Sequence, residues 1–190
     1  DPNSTYDWAK WLTPSRDLIA AFDRAGDIIR KNTTIVYASV SWSNHYPANH
    51  YPFMHKYPSK FNSIIKLRLA DILLLKAEAY VELGNLPEAA AIVNRIRARV
   101  NLPPLSSSVT SSVAGMQDAV LNERRLELAF EGQRWFDLVR TGKVFEVMNT
   151  LNQRDEGRLP MDPVTEYNVI LPIPQSQIDI NPNLVQNPGY

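Results

Sequence analysis

At 190 residues the chain is long enough for one domain with a buried core. Lys plus Arg and Asp plus Glu stand at 20 each, so no net field favours nucleic acid or an anionic membrane surface. Cysteine is absent, which excludes a disulfide framework, a thiolate metal site and a cysteine nucleophile, and no apolar run reaches the roughly 18 to 20 residues of a spanning helix.

The first residues, Asp1 to Tyr6, lack the basic and apolar regions of a signal peptide, as expected of a trimmed piece. Trp8 and Trp11 follow, three apart, so one helical turn would set both on one face as an aromatic ledge or a packed anchor. Thr13, Pro14 and Ser15 precede apolar residues 18, 19 and 22 at helical spacing, predicting a short helix that ends near Gly26. From Thr33 to Trp42 the β-branched residues and Tyr37 predict a strand or extended segment. His45-Tyr-Pro, His50-Tyr-Pro and His55-Lys-Tyr-Pro then form a small repeat, too rich in proline for a helix and read as a loop.

Ile64 to Leu83 is apolar over most of its circumference and reads as a largely buried helix, stopped by Gly84 and Asn85. Pro87 and Glu88 open a second helix, with Ala89, Ile92, Val93 and Ile96 on its apolar stripe and Arg95, Arg97 and Arg99 toward its negative end. Ala77, Tyr80, Gly84, Leu86 and Ala89 fall where a tetratricopeptide unit places its small, aromatic, turn and small residues. One such unit leaves its faces unburied, so other helices are expected to cover it. Ser106 to Ser112 reads as a linker, Met116 to Glu131 as a helix interrupted by Gly132, and Arg134 to Val139 as a further short helix. Val144 to Leu151 suggests a last amphipathic segment. Val169 to Pro174 reads as an extended edge segment, with Asn181-Pro and Asn187-Pro as turns in a tail that packs over the helices. The fold class is all-α: tetratricopeptide-like helix pairs with long irregular loops and short extended segments.

Glu123, Glu127 and Glu131 share a helical face and offer the paired carboxylates of a glycoside hydrolase. The preferred reading is structural: Arg124, Arg125 and Arg134 are near enough in sequence to pair with them and with Asp137, and Trp135 and Phe136 would anchor the turn in the core. His45, His50 and His55 recur every five residues, matching neither helix nor strand period, so a metal site is not expected. Trp42, Tyr46, Tyr51 and Tyr57 present flat apolar faces with polar tips, as a sugar platform requires, or form an aromatic loop packed over the helices. The candidate ligand-binding residues are therefore Trp8, Trp11, Trp42, Tyr46 and Tyr51, with no catalytic residue, metal ligand or cofactor assigned.

Three blocks together resemble the SusD/RagB family of nutrient-binding lipoproteins. They are Leu67 to Tyr80 (LRLADILLLKAEAY), Glu123 to Gly142 (ERRLELAFEGQRWFDLVRTG), and Leu171 to Asp179 (LPIPQSQID) with Asn181 to Tyr190 (NPNLVQNPGY). The order of paired charges, glycine and aromatics makes the middle block the most specific. Pro14, Ser15, Asp17, Leu18, Ala21, Phe22, Gly26 and Asp27 match the family's upstream pattern, so the likeness runs along nearly the whole chain.

The resemblance implies that residues 1–190 are the C-terminal part of a longer family member whose N-terminal half, with its signal and lipidated cysteine, lies outside this chain. It implies a surface-exposed lipoprotein of the outer membrane in Bacteroidota, an all-α scaffold with ligand-binding loops, and non-catalytic capture of glycan for a SusC-like TonB-dependent transporter. The alternatives are a tetratricopeptide-like protein-interaction scaffold without its own ligand site and, behind it, the glycoside hydrolase.

Overall fold

The computed structural model describes residues 12–43, 45–57, 65–154 and 161–190. They fall into two compact units, Asp1–Arg134 and Trp135–Tyr190. Trp8 and Trp11 lie outside the described residues. As expected, the architecture is mostly helical.

In the first unit, α1 (Arg16–Ala25) starts where the Ser15 hydroxyl accepts a hydrogen bond from the Leu18 amide. It ends at Gly26, whose φ of 66° is the left-handed conformation that glycine adopts without a Cβ clash. Asp27 at once caps α2 (Ile28–Thr34) by accepting from the Arg30 amide at 3.1 Å. β1 (Ile35–Ala38) follows directly and pairs antiparallel with β2 (Tyr51–Met54), Ile35 opposite Met54 and Ala38 opposite Tyr51. The repeat read as a loop therefore contains a strand. Pro52, which has no N–H to donate, is tolerated because a two-stranded ladder leaves each strand a free edge.

α3 (Leu69–Glu82) and α4 (Leu86–Arg99) form the expected hairpin around Gly84, whose φ is 76°. Leu74, Ala77 and Val81 of α3 pack on Ala89, Val93 and Ile96 of α4, closed by Met116 and Val120 of α6 (Val113–Glu127). A second cluster joins Phe22 of α1 and Ile35 of β1 to Leu126 and Ala129. α3 is not buried all round as its composition suggested: Leu69 is 66% and Ile72 48% exposed. Only the face carrying Asp71, Leu74, Ala77 and Val81 is covered, because among the described residues α4 and α6 pack against one side of it.

The serine-rich stretch read as a linker forms a short helix, α5 (Ser107–Thr110). Gly115 lets α5 approach α6: a Cβ there would stand 2.6 Å from the Val109 carbonyl oxygen and 2.8 Å from Oγ of Ser112. That hydroxyl is also the cap of α6, accepting from the Gly115 amide at 3.1 Å. Gly115→Ala is expected to cost about 1–3 kcal/mol by overpacking, read as a lower urea midpoint with an unchanged slope.

The second unit holds α7 (Arg134–Arg140), α8 (Val144–Asn149), α9 (Leu151–Arg154), a 3-10 turn at Glu166–Val169 and α10 (Gln175–Ile180). Asp137 is buried at the start of α7, accepting from Arg140 at 2.8 Å. Phe136, assigned to the core, is 66% exposed instead; Asp137 and Leu138 face inward in its place. Leu171–Pro174 joins no sheet among the described residues. Its backbone is matched by side-chain amides: Gln186 accepts from the Ile173 N–H at 2.8 Å and donates to the Ile173 carbonyl at 2.9 Å, and Asn187 donates to the Leu171 carbonyl at 2.7 Å. Two prolines make a strand ladder unworkable there, and amide side chains supply the missing pairing.

Candidate functional site

The loop between β1 and β2 carries an aromatic cluster. Trp42 is 61% exposed, and its ring lies 5.0 Å from that of Tyr51 at a tilt of 56°. Tyr51 is only 7% exposed and touches Tyr46 edge-on at 5.4 Å and Phe53 at 4.9 Å. It therefore supports Trp42 and is not itself a contact surface. Tyr46 is fixed at two points: its hydroxyl donates to the Pro14 carbonyl at 2.8 Å, and the Arg16 guanidinium, which also donates to the His45 carbonyl, lies 4.6 Å from its ring centroid. Of the five candidate residues, the structure brings together Trp42, Tyr46 and Tyr51.

A separate ring pair, Tyr37 and His50, was not singled out for ligand binding from sequence. Their rings stack at 4.0 Å with an interplanar angle of 7°, joining β1 to the residue just before β2. The histidine repeat was the signal for His50, and its five-residue spacing argued against a metal site. His50 lies flat on Tyr37, whereas His45 stands edge-on to Tyr46 at 5.3 Å, so the two rings have different aromatic partners.

Charge adds to the apolar packing of Ile35, Phe53 and Met54 in holding this hairpin. Glu127 is buried and accepts from Arg30 at 3.0 Å, Arg68 at 2.7 Å and Arg99 at 2.6 Å. Glu131 accepts from Arg68 at 2.7 Å and pairs with Lys56, two residues past β2. Lys56 also donates to the Glu127 carbonyl at 2.7 Å. Glu123 pairs with Arg30 at 2.7 Å and Arg97 at 3.2 Å, and Arg30 with Asp27. The expected partners of the three glutamates were wrong in detail. Arg124 turns to Asp71 at 2.8 Å and Arg125 to Asp17 at 2.8 Å, so arginines from α2, α4 and the start of α3 serve the glutamates. Sequence neighbours on α6 point to different faces, and the pairing is made across the fold.

Burial alone would raise the carboxyl groups of Glu127 and Glu131; Arg68, helped by Arg99 and Arg30 at one and by Lys56 at the other, holds both below the ordinary glutamate range. Burial lowers the Lys56 ammonium more than Glu131 restores it. Arg68 stays above its usual value despite burial, because Glu131 and Glu127 accept from it. These are carboxylates kept ionised and enclosed. A glycoside hydrolase needs one protonated acid and an open cleft between two carboxyls.

Residues 24–190 match the model of the SusD family. The chain belongs to the SusD family. It is 41% identical over 134 residues to SusD-like protein P38 of Formosa agariphila, covering 67% of this chain and 25% of that protein. It is 33% identical over 152 residues to the starch-binding protein SusD of Bacteroides thetaiotaomicron, covering 80% of this chain and 25% of that protein. A SusD superfamily structure from Bacteroides vulgatus superposes with a TM-score of 0.72 at 22% identity, over 94% of this chain and 44% of the other. The chain thus spans about a quarter of these two curated SusD relatives, and its helical hairpin with irregular loops is the SusD-like fold.

Proposed function

We propose that this chain is part of a non-catalytic glycan-binding protein that captures oligosaccharide at the bacterial outer-membrane surface, as a lipoprotein, and passes it to a SusC-like TonB-dependent transporter. The observation that carries the reading is the exposed Trp42 ring braced by Tyr51, which Tyr46 and Phe53 hold in turn. A rigid apolar face beside polar tips suits a pyranose, whose C–H face stacks while its hydroxyls find donors. A starch-binding relative supports the ligand class.

A second reading is a docking scaffold, favoured by the uncovered outer face of α3 at Leu69 and Ile72. Calorimetric titration against soluble neutral oligosaccharides separates the two. Saturable binding weakened about tenfold or more by Trp42→Ala, the loss of roughly one stacking contact, supports capture. Binding indifferent to Trp42, or none across the panel, leaves the scaffold.

A further inference from the structure

On the first unit, α1, α4, α5 and α6 enclose an open cleft of about 510 Å³, within the roughly 300–1,000 Å³ of small-ligand sites. Short side chains line it, Ala21 and Ala25 of α1 and Ala119 of α6, together with three guanidinium groups, Arg24, Arg97 and Arg125. Among the described residues it has no aromatic lining and shares none with the Trp42 cluster.

The guanidiniums are held from behind by buried acids. Asp17 accepts from Nη2 of Arg125 at 2.8 Å and lies 3.7 Å from Nη2 of Arg24. Glu123 accepts from Nη1 of Arg97 at 3.2 Å, and the Pro103 carbonyl accepts from its Nε at 2.9 Å. Among the described residues this leaves Nη2 of Arg97 and Nε and Nη1 of Arg125 without a partner. The Arg24 side chain is 66% exposed. Guanidinium donors on a site with small walls match a planar or tetrahedral oxyanion. Asp118, exposed on the same cleft, and the Arg97-paired Glu123, which also lines it, oppose an anion from the α6 side.

We propose that this cleft binds the carboxylate or sulfate group of an acidic saccharide. It rests on the reading of the chain as a glycan binder but uses a different set of residues, so the two fail separately.

The test is two-dimensional amide NMR of the chain titrated with a trigalacturonate, a sulfated galactose oligomer, neutral maltotriose and inorganic sulfate. An acidic saccharide is expected to move the amides of Ala21, Ala25 and Ala119 saturably, more weakly as salt is raised. Arg24→Ala should weaken it about tenfold, Asp118→Asn should strengthen it about twofold, and Trp42→Ala should leave it unchanged. Whether the uronate or the sulfated probe responds identifies the group. The proposal is overturned if acidic probes move only amides near Trp42, if maltotriose or inorganic sulfate occupies the cleft as tightly, or if no probe moves it. Maltotriose shifts confined to Tyr37–Tyr51 would sustain neutral glycan capture whatever the cleft does.

Discussion

Glu127→Ala is expected to cost about 3–5 kcal/mol, a large share of the roughly 5–15 kcal/mol that holds a domain folded. The side chain is buried and is the shared acceptor of Arg30, Arg68 and Arg99. Removing it leaves the guanidinium of Arg30 enclosed with one neutralising contact fewer, and Arg68 with Glu131 alone. The cost comes from stranding these cations, since an intact buried pair is itself worth little against apolar replacement. Urea denaturation of the variant checks it. A loss under about 1 kcal/mol would mean that the cluster is solvated and holds nothing. A catalytic carboxylate would behave otherwise, because removing it commonly leaves stability intact or improved.

Acid should unfold the chain cooperatively, from about the unfolded glutamate pKa downward. Glu127 and Glu131 have folded values below the ordinary glutamate range, with Arg68 as the principal stabiliser of both anions. As pH falls, the unfolded chain therefore takes up these protons first, so stability drops as pH drops. Their contribution is fully present above about pH 4.5 and is lost as pH passes down through the depressed folded values. Urea midpoints measured near neutrality and at about pH 5, 4 and 3 should be level at first and then decline. In Glu131→Gln the decline should be shallower, since one of the two linked protons is gone. A midpoint independent of pH down to about pH 3 would contradict the pairing.

Much of the helical frame was readable because its signals are local. Ser15 before α1, Pro87 and Glu88 at the head of α4, and the glycines at 26 and 84 act within one turn. The partners of Glu123, Glu127 and Glu131 were not readable. The ion pairs join residues 26 to 97 apart, from Arg97 with Glu123 to Arg30 with Glu127, and nothing in a helical period specifies them. β2 was hidden by its proline, which local rules count against a strand, whereas here it occupies a two-stranded edge. The exposure of Leu69 and Ile72 was misread because composition cannot distinguish an apolar residue that is covered from one that is not. For the candidate site, Trp42 and Tyr46 were legible as exposed-type aromatics in a loop, while the Tyr37–His50 stack arises from strand register alone.

The reach of these ion pairs also bears on the order in which the chain assembles. α3 and α4 close over Leu83, Gly84 and Asn85, a contact whose loop entropy is small. Arg30 meets Glu127 only when a loop of 97 residues closes, and Arg125 meets Asp17 across 108. Contacts of such separation form after local ones, because chain entropy is lost before they are made. The hairpin that carries Trp42 is therefore among the last parts to be fixed, docking onto a helical frame that α3, α4 and α6 have already built.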